Sequence, residues 1–257
     1  MGTTSIIMGN RHTLEKAGAV AFALLLWQIA AMALDQHLLL VSPVQVLFRF
    51  GTLCLEPGFL QTIAFSLLRI AGGFFLAFLL GTGLGILAGR CRYVELFLWP
   101  FMLTIKSVPV ASYVILCLIW LSSAQLPVFI SFLMVLPVLY NNVLQGFKTA
   151  DPKLLEMAGL YGVPFGRRLV FIHLPQIKPF LLSACGVALG MAWKAGVAAE
   201  VIGITSGSIG EKLYESKIYY NMADLFCWTV VIILVSLAFE KAFLWILRRC
   251  FRRLERL

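Results

Sequence analysis

Between Ser107 and Phe147 the chain runs for 41 residues without an aspartate, glutamate, lysine or arginine. An α-helix needs only ~20 apolar residues to cross the ~30 Å hydrocarbon layer of a bilayer, so this run holds two crossings. A turn across Ser122–Pro127 divides them, with Pro127 at a helix start. Four more charge-free stretches follow the same logic: Ala17–Leu34, Ile70–Gly89, Pro179–Trp193 and Leu225–Phe239. The shorter ones reach full length once a terminal charge is included, as when Lys241 snorkels to the interface. Composition agrees, with 61% of residues apolar and only 13% charged, against ~25% charged in soluble domains. Intrinsic disorder, a disulfide-stapled scaffold and an ordinary cytosolic enzyme are excluded. A membrane β-barrel would alternate apolar and polar residues, which these continuous runs do not. The expectation is an all-α integral membrane protein with six transmembrane helices, at approximately 17–34, 66–89, 98–120, 127–147, 178–200 and 225–247.

The net charge of +9 is a topology signal rather than a nucleic-acid footprint. With the N-terminus in the cytoplasm, the inner segments carry 14 of the 21 basic residues and the outer loops only Arg49, Lys212 and Lys217. Basic residues concentrate on the cytoplasmic side, so the chain is read as N-in and C-in. Ala31-Met32-Ala33 fits a signal-peptidase site, but the preceding apolar run is long for a signal peptide, and retention as the first span is expected. The six cysteines are scattered singly and read as small hydrophobes. In the first outer loop, Ser42-Pro43 reads as a helix start, followed by Val44, Leu47, Phe48 and Phe50 on a short amphipathic helix packed at the bundle rim. Gly81, Gly85 and Gly89, four residues apart, form a stripe that another helix can approach closely, within a bundle or a dimer, and Gly186 and Gly190 repeat it.

The loop 148–178, between the fourth and fifth spans, has its own structure. Asp151 is placed as an N-cap with Pro152 at the first helical position. Lys153–Tyr161 continues that helix, Gly162 suits the left-handed position that ends it, and Pro164 opens a second short helix bearing Arg167 and Arg168. Pro175 closes the loop near the membrane. On physical grounds a docking surface and a solvated linker remain equally open.

Glu156-Met157-Ala158, three residues, Gly162, nine residues and Ile172-His173-Leu174-Pro175 resemble the EAA motif, E-A-A, three residues, G, nine residues, I-x-L-P, with Met157 the one departure. That motif marks the permease subunits of binding-protein-dependent ABC importers. Ser42-Pro43, Ser66–Gly72, Gly81–Gly89, Asp151-Pro152 and Ala192-Trp193 with Val197–Glu200 are similar to the nitrate/sulfonate/taurine branch. The resemblance implies a type I ABC importer permease fold in a bacterial inner membrane. It implies two copies of this chain, two cytoplasmic ATPase subunits and an extracytoplasmic solute-binding protein. Asp151, Glu156, Met157, Ala158, Gly162, Arg167, Ile172, Leu174 and Pro175 would then couple to the ATPase. ATP and magnesium belong to that partner: no Gly-Lys dipeptide occurs here, so the chain has no phosphate loop and is not read as an enzyme. No cofactor, metal or nucleic acid is expected on this chain, and its remaining partner is membrane lipid. The implied solute is a small anion such as a sulfonate, taurine or nitrate, with a vitamin precursor as the alternative. A secondary transporter or channel is the reading from another class; the halves show no repeat of the kind secondary transporters carry.

Charges inside spans are costly and usually face protein or water. Arg69 is placed at the outer interface. Lys106, near the inner end of the third span, either snorkels or lines an inner vestibule. Lys194 lies ~22 Å up the fifth helix from Pro179, and either lines the pathway, favouring an anion, or serves a structural pair. Glu200, six residues on, is ~120° around the helix and a poor partner for it. Lys106, Lys194 and Glu200 are the candidate pathway residues.

Overall fold

In a computed structural model of the protein, residues 3–34 and 41–254 are described, and among them there is no strand. The expected outer loop's residues 35–40, Arg256, and the side chains of Arg11, His12 and Lys16 lie outside what is described. The helices are α1 Thr3–Leu34, α2 Pro43–Leu53, α3 Phe59–Arg90, α4 Arg92–Ser107, α5 Val110–Cys117, α6 Leu126–Lys148, α7 Pro152–Leu160, α8 Phe165–Arg168, α9 Leu174–Gly203, α10 Ile209–Ile218 and α11 Met222–Leu254. Four helical stretches are long and apolar enough to cross a membrane: Phe59–Arg90, Leu126–Lys148, Phe165–Gly203 and Met222–Arg253. The bent pair α4 and α5 makes a fifth if counted as one crossing. The apolar part of α1, Gly18–Ala33, is shorter than a full crossing by the same measure.

Two expected boundaries differ. The segment 98–120 is not one straight helix: α4 and α5 meet at 101°. Val108 is extended, with ψ 133°, because the ring of Pro109 pushes the preceding residue out of the helical region. The loop expected to run to Lys178 instead ends at Pro164, from where the chain is helical through to Gly203. Pro175 lies just past a π turn within this continuous helical run, where its ring and missing N–H deprive the turn before it of an α-helical bond. The turn before it, Leu169–His173, widens to π geometry, with the Leu174 N–H donating to the Leu169 carbonyl. His173, expected in a loop, is buried there and stacks on Phe147 with ring centroids 3.8 Å apart.

The chain divides into two compact units. The first comprises residues up to Phe59 together with Lys212–Val230. Ser42 opens α2 as expected: its hydroxyl accepts from the Gln45 N–H, and its own N–H donates to Gln45 Oε1, each at 3.3 Å. The buried face of α2 is Val46 and Leu53, whereas Leu47 and Phe48 are exposed, opposite to the rim-packing expectation. Outward-facing apolar residues are the rule where lipid replaces water as solvent. Arg49 forks onto Asp224, through Nε to Oδ1 and through Nη2 to Oδ2 at 3.1 Å, and also pairs with Glu56 at 2.8 Å. The Asp224 hydrogen bonds hold the guanidinium above its ordinary pKa, against the opposing effect of burial, with Glu56 adding to the hold.

The second unit, Leu60–Glu211 with the residues from Val231 on, is built around α6, the most buried of the long helices. The glycine stripe of α3 lies against α6 within the same chain. A Cβ on Gly81 would stand 3.0 Å from Leu139 Cβ, and one on Gly89 2.6 Å from Phe147 Cγ. The stripe therefore closes an internal helix pair and carries no argument for a dimer. Gly190 is different, with nothing within 4 Å of where its Cβ would be. α6 also packs closely along α9, helped by Gly146 against Ile177 and Gly196 against Ser131. On the other side of α3, Phe74 meets Phe243 of α11 edge to face at 4.9 Å.

Candidate functional site: a capped helix between spans and three membrane charges

Asp151 starts α7 as expected: its Oδ1 accepts from the Lys153 N–H at 2.9 Å, filling one of the donors a helix start leaves open. The other end stops sharply at Gly162, whose φ is +61°. The Val163 N–H reaches back to the Ala158 carbonyl at 2.9 Å and the Gly162 N–H to that of Gly159 at 3.1 Å. This paired pattern is the Schellman stop, which requires a left-handed residue. Arg168 completes it: Nε donates to the Val163 carbonyl at 2.6 Å and Nη2 to the Ala158 carbonyl at 3.1 Å.

The result is a rigid, protruding helix with a defined exit. Ala158 is buried against the stop, while Glu156, Met157, Leu160 and Tyr161 face outward. Leu160 and Tyr161 are 88% and 80% exposed, an apolar tip with no covering neighbour among the described residues. Arg167 is exposed; Ile172 and Leu174 are half-buried and Pro175 exposed at the base of α9. Two contacts steady this base: the Arg90 guanidinium lies 4.2 Å from the Phe165 ring centroid, and Lys148 pairs with Glu95 at 2.6 Å. Sequence reasoning listed Arg167 and missed Arg168 as the clasp; nothing in its spacing from Ala158 distinguishes the two arginines.

The three membrane charges do not form one cluster. Glu200 is fully buried and works as an anchor. Its Oε2 accepts from Ser66 Oγ at 2.9 Å and from the Gly210 N–H at 3.2 Å, while Ser66 Oγ accepts from the Ile209 N–H at 2.9 Å. Ser208 Oγ takes the Glu211 N–H at 3.0 Å. The first three N–H groups of α10 are thus satisfied, with a carboxylate at the positive end of the helix. A Cβ on Gly210 would stand 2.7 Å from the Val201 nitrogen, so glycine is what lets α10 begin this close to α9. The glycine-rich Gly207–Gly210 segment is a helix start, not a phosphate loop. Glu200 is buried with its Oε2 engaged, which favours an anchoring role over a pathway one, while its Oε1 has no hydrogen-bond partner.

Each hydrogen bond to a buried charge contributes ~1.5–3 kcal/mol. Glu200→Leu should therefore lower the thermal unfolding midpoint in detergent by about 5 °C or more, with Glu200→Gln, which keeps an acceptor, falling less. An unchanged midpoint for Glu200→Leu would return the residue to the pathway.

Lys194 is exposed on α9, on a face shared with Ser183, Val187 and Met191; no ion pair joins it to any described residue. Lys106 is exposed near the end of α4 and lines a cavity between α4 and α6. Arg69, expected at an interface, is half-buried with its guanidinium 5.0 Å from the Phe65 ring centroid. Sequence reasoning also passed over Tyr140-Asn141-Asn142, three polar groups in a row inside the long charge-free run, and Glu240, whose Oε1 lies 3.9 Å from where a Gly186 Cβ would be.

The family described as "Binding-protein-dependent transport system inner membrane component" matches residues 81–256. The chain belongs to this family. It is a multi-pass inner-membrane permease component, in keeping with its long apolar helices. SsuC of Bacillus subtilis (strain 168), named for aliphatic sulfonate transport, is 27% identical over 219 residues, 84% of this permease and 79% of its own chain. The taurine transport system permease protein TauC of Escherichia coli (strain K12) is 29% identical over 205 residues, 77% of this chain and 74% of its own. The bicarbonate transport system permease protein CmpB of Synechococcus elongatus is 26% identical over 198 residues, 76% of this chain and 70% of its own. Among solved structures, the crystal structure of an amino acid ABC transporter with histidines covers 76% of this chain and 97% of its own, with a TM-score of 0.50 at 18% identity, a likeness of fold alone.

Proposed function

We propose that this permease forms the translocation pathway of an ATP-driven importer for a small anion. It acts as two copies around a central pathway, with two ATPase subunits on the cytoplasmic side and a solute-binding protein outside. Six crossings with both termini inside follow if α1 supplies the first and the α4–α5 pair the third; the basic bias of the inner segments supports that orientation. The observation that carries the reading is α7, a capped helix with an exposed apolar tip and Glu156 beside it. A solvated linker has no need of a Schellman stop doubly clasped by an arginine. ATP hydrolysis belongs to the partner, which binds ATP and magnesium. The anion class rests on relatives named for sulfonate, taurine and bicarbonate transport. Reconstitution with and without the ATPase tests the reading: uptake of a small anion should require both the ATPase and ATP, and uptake without them would mark a channel or secondary transporter.

Lys194 carries the pathway assignment. Its side chain stands on an exposed face well along α9, and a lone charge within a span faces protein or water rather than lipid. Lys194→Ala should lower anion uptake by about tenfold, the loss of ~1.4 kcal/mol, while ATPase binding and membrane insertion persist. Uptake unchanged across solute concentrations would make Lys194 structural.

A further inference from the structure

A cavity of about 190 Å³ lies between α4 and α6. This is smaller than the ~300–1,000 Å³ of typical drug-sized pockets, and so suited to a small solute. Trp99 and Met102 form one wall, and Tyr140 and Asn141 the other. Lys106 lies at the end near the bend, while Glu95 lies at the opposite end, where Lys148 neutralises it at 2.6 Å. Arg90 and Arg92 border the adjoining hollow beyond Glu95. Lys106 has no ion-pair partner among the described residues. Tyr140 is only 2% exposed, yet its hydroxyl has no hydrogen-bond partner. The Asn141 amide N–H₂ is already donated to the Pro137 carbonyl at 2.5 Å, leaving its oxygen toward other uses. A buried hydroxyl without a partner is costly unless something supplies one, and the unpaired ammonium that lines the same cavity selects the sign of what does.

We infer that this cavity is a binding subsite for the oxyanion head of the transported solute, held by the Lys106 ammonium and the Tyr140 hydroxyl with the Trp99 ring against its organic part. The inference rests on the small-anion importer reading above. Helices broken within the membrane recur at transporter binding sites because they free space and polar groups there. Lys106, which lines the cavity, is two residues before the α4–α5 break at Val108. An anionic lipid headgroup shares the same chemistry, so the test separates the two sources.

The assembled importer, with its ATPase, is placed in phosphatidylcholine nanodiscs and titrated with ethanesulfonate, taurine and bicarbonate while tryptophan fluorescence is followed. At least one probe should give a saturable change that disappears in Trp99→Phe. Its half-saturation should rise about tenfold or more in Lys106→Met and about threefold in Tyr140→Phe, as expected for losing one charged and one neutral hydrogen bond. No Trp99-dependent change, or a half-saturation unmoved in both variants, overturns the proposal. So does a change produced by replacing phosphatidylcholine with phosphatidylglycerol after which the probes add nothing, because the cavity then holds a headgroup. ATP-driven uptake of the same probes is measured in parallel with the binding protein present. Uptake without a cavity signal sinks the subsite alone, whereas a failure of all three to be taken up sinks the importer reading beneath it.

Discussion

Glu156→Lys and Gly162→Val should each cut uptake by at least about tenfold while leaving the protein inserted and folded. Gly162 has nothing within 4 Å of where a Cβ would be, so valine clashes with no neighbour. The penalty is conformational: at a φ of +61° a non-glycine residue is disfavoured by ~1–2 kcal/mol, more when β-branched. Relaxing that strain breaks the bonds from Val163 and Gly162 back into α7, and the exposed tip at Leu160 and Tyr161 tilts away from its partner surface. Glu156 is exposed and makes no ion pair with any described residue, so reversing its charge disturbs only what docks there. Crosslinking between a cysteine at Leu160 and the ATPase should succeed in the parent protein and fade in both variants. Full uptake with normal crosslinking in both would reduce the segment to a linker.

Gly85→Leu should leave almost no folded permease. A Cβ at this position would stand 2.9 Å from both Cβ and Cγ1 of Val143 and 3.0 Å from the Tyr140 carbonyl oxygen. The carbonyl belongs to the backbone of the central helix and cannot swing aside. Overpacking of this kind costs ~1–3 kcal/mol or more per site, and the helix pair it separates is the floor on which α9 also rests. Gly83→Leu, two residues away and facing open space, is the matched control and should fold normally. Fluorescence-detected size-exclusion profiles of the two variants would decide it; equal monodisperse peaks would mean that the α3–α6 contact is not tight.

The apolar runs were legible because lipid demands them: a stretch without charge must lie in the membrane whatever its neighbours do. Counting charges is blind to the backbone, however, so it joined α4 to α5 across Val108-Pro109, although the proline was in plain view. The ~120° offset between Lys194 and Glu200 did separate an exposed lysine from a buried glutamate. What lay on each side of that helix was not readable, because the buried partner Ser66 comes from a distant part of the chain and Gly210 arrives only through the fold-back that starts α10. The stripe at Gly81, Gly85 and Gly89 announced a close helix approach, but small residues look alike whether the approaching helix belongs to the same chain or another. Ser208-Ile209-Gly210-Glu211 carried a legible capping pattern, serine followed three residues later by glutamate, that went unread beside the absence of a phosphate loop. In the EAA-like segment the cap and the glycine stop were both readable from local rules, while the Arg168 clasp depends on a fold-back that spacing does not encode.

The unbroken helical course from Phe165 to Gly203 makes a mechanical part. Its 39 residues span about 58 Å at the ordinary helical rise. The α7 tip is attached at one end by the short Gly162–Pro164 connection and by the Arg168 clasp, and Lys194 rides far along the same shaft. Such a shaft can turn only where its packing allows, and most of α9 lies along α6. The π turn at Leu169–His173 is where such a crank would flex, since a widened turn yields more readily than the α-helix on either side. Small displacements of a docked partner would then be taken up at that single wide turn, while the stretch toward Lys194 stays held along α6.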